Sequence, residues 1–234
     1  MDRHPGGSPD TVTVLWCTTD GDERRKAHTL VVRAAAGLMG VAPSEIWLEH
    51  EAGGRPVLGG AGKSLHVSVT HARGALAVAV TGLAPVGVDV EVVRRLRAAA
   101  MSRAWLDPAE AAWVTALPED DQSVAFLWLW TQKESVGKAL GQGLRRGGMS
   151  RRVPLPGQWP PRDGTLSAPR RLPGDPGVVS AAVVVGGGRH VIGVALHGGT
   201  GGASCADDVR PDVRLGVRRD VRLDVREVSP TELG

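Results

Sequence analysis

Two stretches constrain this chain more than any others: LHVSVTHARGALAVAV from residue 65 and GVVSAAVVVGGGRHVIGVALHG from residue 177. Each sets two runs rich in Val, Leu and Ala on either side of a short break, which is the pattern of an antiparallel hairpin. In the first, residues 65–71 alternate and residues 74–80 are almost wholly apolar. A helical segment precedes each hairpin. Residues 22–40 repeat Leu30, Val31, Ala34, Ala35 and Leu38 at helical spacing. Asp107 and Pro108 read as N-cap and first residue of a second helix, and a longer helix covers about residues 121–140, ending at Gly141 and Gly143. Helix followed by antiparallel strands, twice, predicts an α+β fold of two related halves.

The remaining segments fit around that plan. TVTVLWC (11–17) reads as a buried strand, IWLEHEAGGRPVL (46–58) as strand, turn and strand, and PVGVDVE (85–91) as a strand that leaves the core and ends in acid. Expected divisions are a flexible N-terminus at 1–10, an N-terminal half at 11–84, a C-terminal half at 85–202 and a low-complexity tail at 203–234. Residues 145–176 are rich in Arg, Pro and Gly and read as loop. Residues 208–227 repeat D-V-R every four residues, with charges that nearly cancel. They read as a disordered extension, with a docked amphipathic helix as the alternative.

Composition narrows the functional classes. The 234 residues carry a formal charge of +3, which suits an anionic ligand, but no dense basic stripe interleaved with aromatics marks a nucleic-acid binder. Cys17 and Cys205 lack metal-site spacing and read as free thiols of a cytoplasmic protein. No stretch suggests a signal peptide or a membrane span.

Asp89 and Glu91 are two apart on a strand, so both carboxylates project from one face and can meet one cation. A hard ion such as Mg²⁺ takes oxygen ligands and keeps waters and substrate phosphates for the rest of its shell. An isolated D-x-E is also how a solvated strand end looks. Glu134 and Lys138 are neighbours on one helix face; such a pair is commonly a surface salt bridge. Here the preceding FLWLW is apolar nearly all round, and lysine is rare, at 4 residues against 24 arginines. A compact ammonium can meet a phosphate as a point charge or hand over a proton. His71 and Thr70 at a strand end, Arg55 in a turn before proline, and Arg24, Arg25 and Lys26 at a helix start are each ordinary surface or phosphate contacts. Together these groups ask for a polyanionic ligand and a divalent metal, the parts of phosphoryl-type transfer.

GRPVL, VSVTHARGALAVAV, VGVDVE and FLWLWTQKESVGKALGQGL, in that order and at these separations, resemble the 4′-phosphopantetheinyl transferases of the surfactin-synthetase-activating type, over about residues 11–198. The resemblance implies a monomer of two halves related by a pseudo-twofold, each with a small antiparallel sheet and a packed helix, with the active site between them. It implies transfer of the phosphopantetheine arm of coenzyme A to a serine of an acyl or peptidyl carrier protein, with release of adenosine 3′,5′-bisphosphate. By motif position Asp89, Glu91 and Glu134 would hold Mg²⁺. Lys138 would contact the pyrophosphate and the leaving phosphate. Thr70, His71, Arg55 and Arg24 would bind the coenzyme. The serine needs a base, either Glu134 or a metal-bound water near it. A basic stretch after the D-x-E strand, with Arg94, Arg95, Arg97 and Arg103, would steer an acidic carrier, most plausibly of a polyketide or nonribosomal peptide synthase. Two rivals remain: another Mg²⁺-dependent nucleotide phosphotransferase or phosphodiesterase, and a non-catalytic coenzyme A or carrier-binding module.

Overall fold

A computed structural model describes residues 11–144, 147–198 and 221–229. The strands are β1 (Thr11–Thr18), β2 (Ile46–His50), β3 (Pro56–Gly60), β4 (His66–Ala72), β5 (Ala75–Thr81), β6 (Val86–Val92), β7 (Arg170–Leu172), β8 (Asp175–Val185), β9 (His190–His197) and β10 (Arg222–Glu227). The helices are α1 (Glu23–Met39), α2 (Ala98–Trp105), α3 (Pro108–Ala116) and α4 (Glu119–Ala139). One sheet runs β10-β1-β5-β4, another β6-β9-β8-β7, and β2 pairs β3 alone. The pairings are antiparallel except that of β10 with β1. The expected α+β class with small antiparallel sheets is therefore present, and both predicted hairpins form, as β4–β5 and β8–β9.

The two four-stranded sheets share one apolar cluster. It takes Val12, Val14, Trp16, Ala75, Ala77 and Ala79 from the first, and Val86, Val88, Val90, Ile192, Val194 and Leu196 from the second. Strand alternation sends Leu76, Val78 and Val80 the other way, onto α1 at Leu30, Val31 and Ala35. On the second sheet Ala182, Val184 and Val191 pack against Phe126, Leu127 and Leu129 of α4. The apolar surface of both sheets is thus covered on both sides, which explains why their central strands carry so few polar residues.

The same alternation fixes what β6 offers to α4. With Val86, Val88 and Val90 in the shared cluster, Gly87, Asp89 and Glu91 lie on the face toward the helix. The helix backbone rests on Gly87: a Cβ there would lie 1.9 Å from Ser135 O and 2.7 Å from Ala139 N. Gly193 of β9 gives the same clearance, with Thr131 C and O at 2.4 Å from such a Cβ. Gly87→Ala is expected to lever α4 off the sheet and to cost about 3 kcal/mol, read as a lower urea midpoint.

Two expectations meet a different outcome or none. Part of the tail expected to be disordered is β10, in register with β1 from Thr11↔Arg222 to Trp16↔Glu227. Val221, Leu223 and Val225 pack on the shared cluster. A repeat of four contains a period of two, so Val and Leu set two apart fall on one face of a strand. The expectations for residues 1–10, for Cys205 and for most of the repeat lie outside the described residues; Cys17 is buried and free. Among the described residues, no helix is long and apolar enough to cross a membrane.

Candidate active site

α4 positions the chemistry. Asp120, Asp121 and Glu119 sit in its first turn and Lys138 in its last, both favourable to the helix dipole. It packs on β9 and β6, which brings Trp130 and Glu134 beside β6 and sets Lys138 over Val88 and Asp89. A cleft of about 530 Å³ opens there, lined by Asp89, Glu91, Arg94, Trp130, Glu134, His71 and Arg73 among others. The three predicted carboxylates therefore come from two separate segments and line one cleft.

Each carboxylate is held differently. Asp89 is buried, at 7% exposure. Its Oδ1 accepts from Lys138 Nζ at 2.8 Å and from Thr70 Oγ1 at 2.9 Å. Burial pushes the Asp89 carboxyl above the ordinary range, against the pull of Lys138 and Thr70. Glu91 accepts from Arg94 Nη1 at 2.9 Å. Glu134 is half-buried, and its carboxyl is pushed up first by burial and then by the charge of Asp89. Lys138 also donates to Val88 O at 2.9 Å. With three donors on an ammonium, one is left for a ligand.

The other predicted residues divide. His71 lines the cleft and is largely exposed, with Nδ1 3.3 Å from Glu23 Oε2 in the first turn of α1. That contact brings the exposed Arg24 to the same end of the molecule. Arg55 lies outside the cleft lining, beside the end of α4, where a methyl on Gly141 would sit 3.5 Å from its Nη1. Thr70 spends its hydrogen on Asp89, so toward a phosphate it positions the carboxylate rather than donating. Arg25 pairs with Asp22, and Lys26 with Asp20. Arg95 pairs with Glu119; Arg97 and Arg103 are exposed.

Three features escaped the sequence reading. Trp130, one helical turn before Glu134, belongs to the cleft, as its i,i+4 spacing allows. Arg73, in the β4–β5 turn, also lines the cleft. Lys133 is structural: its Nζ sits 2.6 Å from Glu110 Oε2, with both side chains sealed from water. A cavity of about 540 Å³ lies on the opposite face of α4, lined by Trp128, Gln132, Pro154 and Ser180 among others. It presents no carboxylate, and Gln132 is satisfied there by Trp128 O, Pro154 O and Ser180 Oγ. Of the two, the cleft is the one lined by carboxylates.

Residues 85–158, which run from the start of β6 past α4, match the 4′-phosphopantetheinyl transferase superfamily. The likeness seen in the motifs stands. The matched segment holds Asp89, Glu91, Glu134 and Lys138, and leaves out Arg24, Arg55, Thr70 and His71. The chain is also 27% identical over 113 residues to the 4′-phosphopantetheinyl transferase HetI of Nostoc sp. (strain PCC 7120 / SAG 25.82 / UTEX 2576). That alignment covers 47% of this chain and 48% of the relative, so the chain spans about half the length of the curated relative it matches.

Proposed function

We propose that this chain moves the 4′-phosphopantetheine arm of coenzyme A onto a serine of an acyl or peptidyl carrier protein, releasing adenosine 3′,5′-bisphosphate. The observation that carries the reading is the meeting of Asp89 and Glu91 of β6 with Glu134 of α4 in one cleft, with Lys138 of α4 bonded to Asp89 at 2.8 Å. The two halves, 11–84 and 85–202, would be related by a pseudo-twofold. Supporting this, first, last and penultimate strands are neighbours in that order in both sheets, as β1-β5-β4 and β6-β9-β8.

The donor set suits a hard divalent ion in kind, being oxygen alone. Among the described residues no three acidic, His or Cys side chains already close around one point. An open cleft lined by carboxylates agrees with Mg²⁺, which leaves room for water and substrate phosphate. Asp89, Glu91 and Glu134 would hold the ion. When bound, Mg²⁺ supplies neutralisation of the pyrophosphate charge.

The chain's own groups do the rest. The serine oxygen attacks the pyrophosphate phosphorus that bears the pantetheine arm, and the bond to the bisphosphate leaving group breaks. The serine proton goes to Glu134 or to a water beside it. Lys138, fixed between Val88 O and Asp89, turns its remaining N–H on the leaving phosphate. His71, Arg55 and Arg24 bind the coenzyme. Exposed Arg97 and Arg103 steer an acidic carrier of a polyketide or nonribosomal peptide synthase. Lys138→Arg preserves charge but cannot seat a planar guanidinium in the same gap. It is expected to lower turnover about 10- to 100-fold.

Mass spectrometry of an apo carrier protein incubated with the chain, coenzyme A and Mg²⁺ tests the reading. A carrier heavier by one phosphopantetheine arm supports it. Unmodified carrier with hydrolysed coenzyme points to a phosphodiesterase, and binding without reaction points to a recognition module; either result overturns transfer.

A further inference from the structure

Of the two carboxylates on β6, Asp89 is held by a partly buried lysine that reaches in from α4, whereas Glu91 is held by a cation from the next few residues of its own strand end. Arg94 Nη1 donates to Glu91 Oε2 at 2.9 Å and to Val92 O at 3.1 Å. The arginine side chain is 55% exposed and that of Glu91 21%, and both line the cleft. We propose that Arg94 is a built-in counter-ion for Glu91, displaced when a divalent ion binds, so that this arginine sets the cleft's affinity for metal. The inference rests on the metal reading given above and adds a residue to it.

The physics favours displacement over competition to exclusion. An i,i+3 ion pair with one hydrogen bond and an exposed arginine is weakly held, so breaking it costs little. A divalent ion at Glu91 would compete for the carboxylate charge that holds Arg94 and repel the guanidinium at short range. Val92 O remains as an acceptor, and the freed guanidinium then faces solvent at the rim of the cleft. Until the ion arrives, Arg94 keeps Glu91 from repelling the other carboxylates. Linkage adds a consequence: an acidic group on a docking partner that draws Arg94 away should strengthen metal binding, and metal should strengthen docking by the same factor.

The test is a titration of the full chain with Mn²⁺ alone, without coenzyme, followed by electron paramagnetic resonance of the free ion. Arg94→Gln is expected to bind Mn²⁺ about two- to fivefold more tightly than the native chain. In a Glu91→Gln background the same change should have no effect, because the interaction it relieves is gone. Arg95→Gln, which removes the same charge from a residue paired with Glu119, should change affinity less. Unchanged or weaker binding in Arg94→Gln overturns the proposal, as does a gain that persists without Glu91. Failure of the native chain to bind Mn²⁺ would overturn both this proposal and the metal assignment, whereas the carrier-modification assay judges transfer independently.

Discussion

Asp89→Asn is expected to lower carrier modification by about two to three orders of magnitude while leaving the chain folded. The amide keeps the shape of the carboxylate, and the carbonyl oxygen of the new side chain can still accept from Thr70 Oγ1 and Lys138 Nζ. It lacks the negative charge that a divalent ion needs. The loss should therefore appear in turnover and in Mn²⁺ affinity together, with circular dichroism and the unfolding midpoint near native values. Full turnover in this variant would remove Asp89 from the metal set and weaken the cleft as the site.

A second large effect falls on stability. Glu110 of α3 accepts from Lys133 Nζ at 2.6 Å, from Val153 N at 2.8 Å and from Asp107 N at 3.2 Å. Lys133 also donates to Arg151 O. One buried carboxylate thus joins α3, α4 and the segment after residue 150, next to the residue that carries the Glu134 carboxylate. Burial pulls the Lys133 ammonium below its usual range despite the neighbouring charge of Glu110. Glu110→Ala strips that ammonium and the N–H groups of Val153 and Asp107 of their carboxylate partner, and is expected to cost about 3–5 kcal/mol in urea unfolding. Replacing both residues, as Glu110→Met with Lys133→Met, should recover much of the loss, since no charge is then left unpaired. A single substitution as mild as those at exposed ion pairs, below about 1 kcal/mol, would contradict the account of a sealed bridge.

These residues show where the sequence could be read and where it could not. Apolar runs at period two located both hairpins, because a strand in a sheet covered on both sides has little room for polar side chains. Asp107 and Pro108 announced the start of α3 through local chemistry, and the structure has the capping box with Glu110. The D-x-E pair needed only strand alternation to place Asp89 and Glu91 on one face. Lys133 and Lys138 are alike in sequence, however, and their separate fates depend on partners far along the chain. Glu110 lies 23 residues before Lys133, and Asp89 is 49 residues from Lys138. Thr70 likewise read as a ligand contact because nothing local shows that its hydroxyl meets Asp89. Residues 222–227 of the tail misled for a different reason: a short repeat fits strand, helix and disorder alike until the open edge of β1 selects among them.

The most direct measurement is a crystal structure of the chain with coenzyme A and Mg²⁺. The account predicts one ion bound by oxygens of Asp89, Glu91 and Glu134 at about 2.0–2.1 Å, with the coenzyme pyrophosphate completing its shell and Lys138 Nζ on that pyrophosphate. Coenzyme seated in the cavity beside Trp128 and Gln132, or an ion held by other side chains, would contradict it.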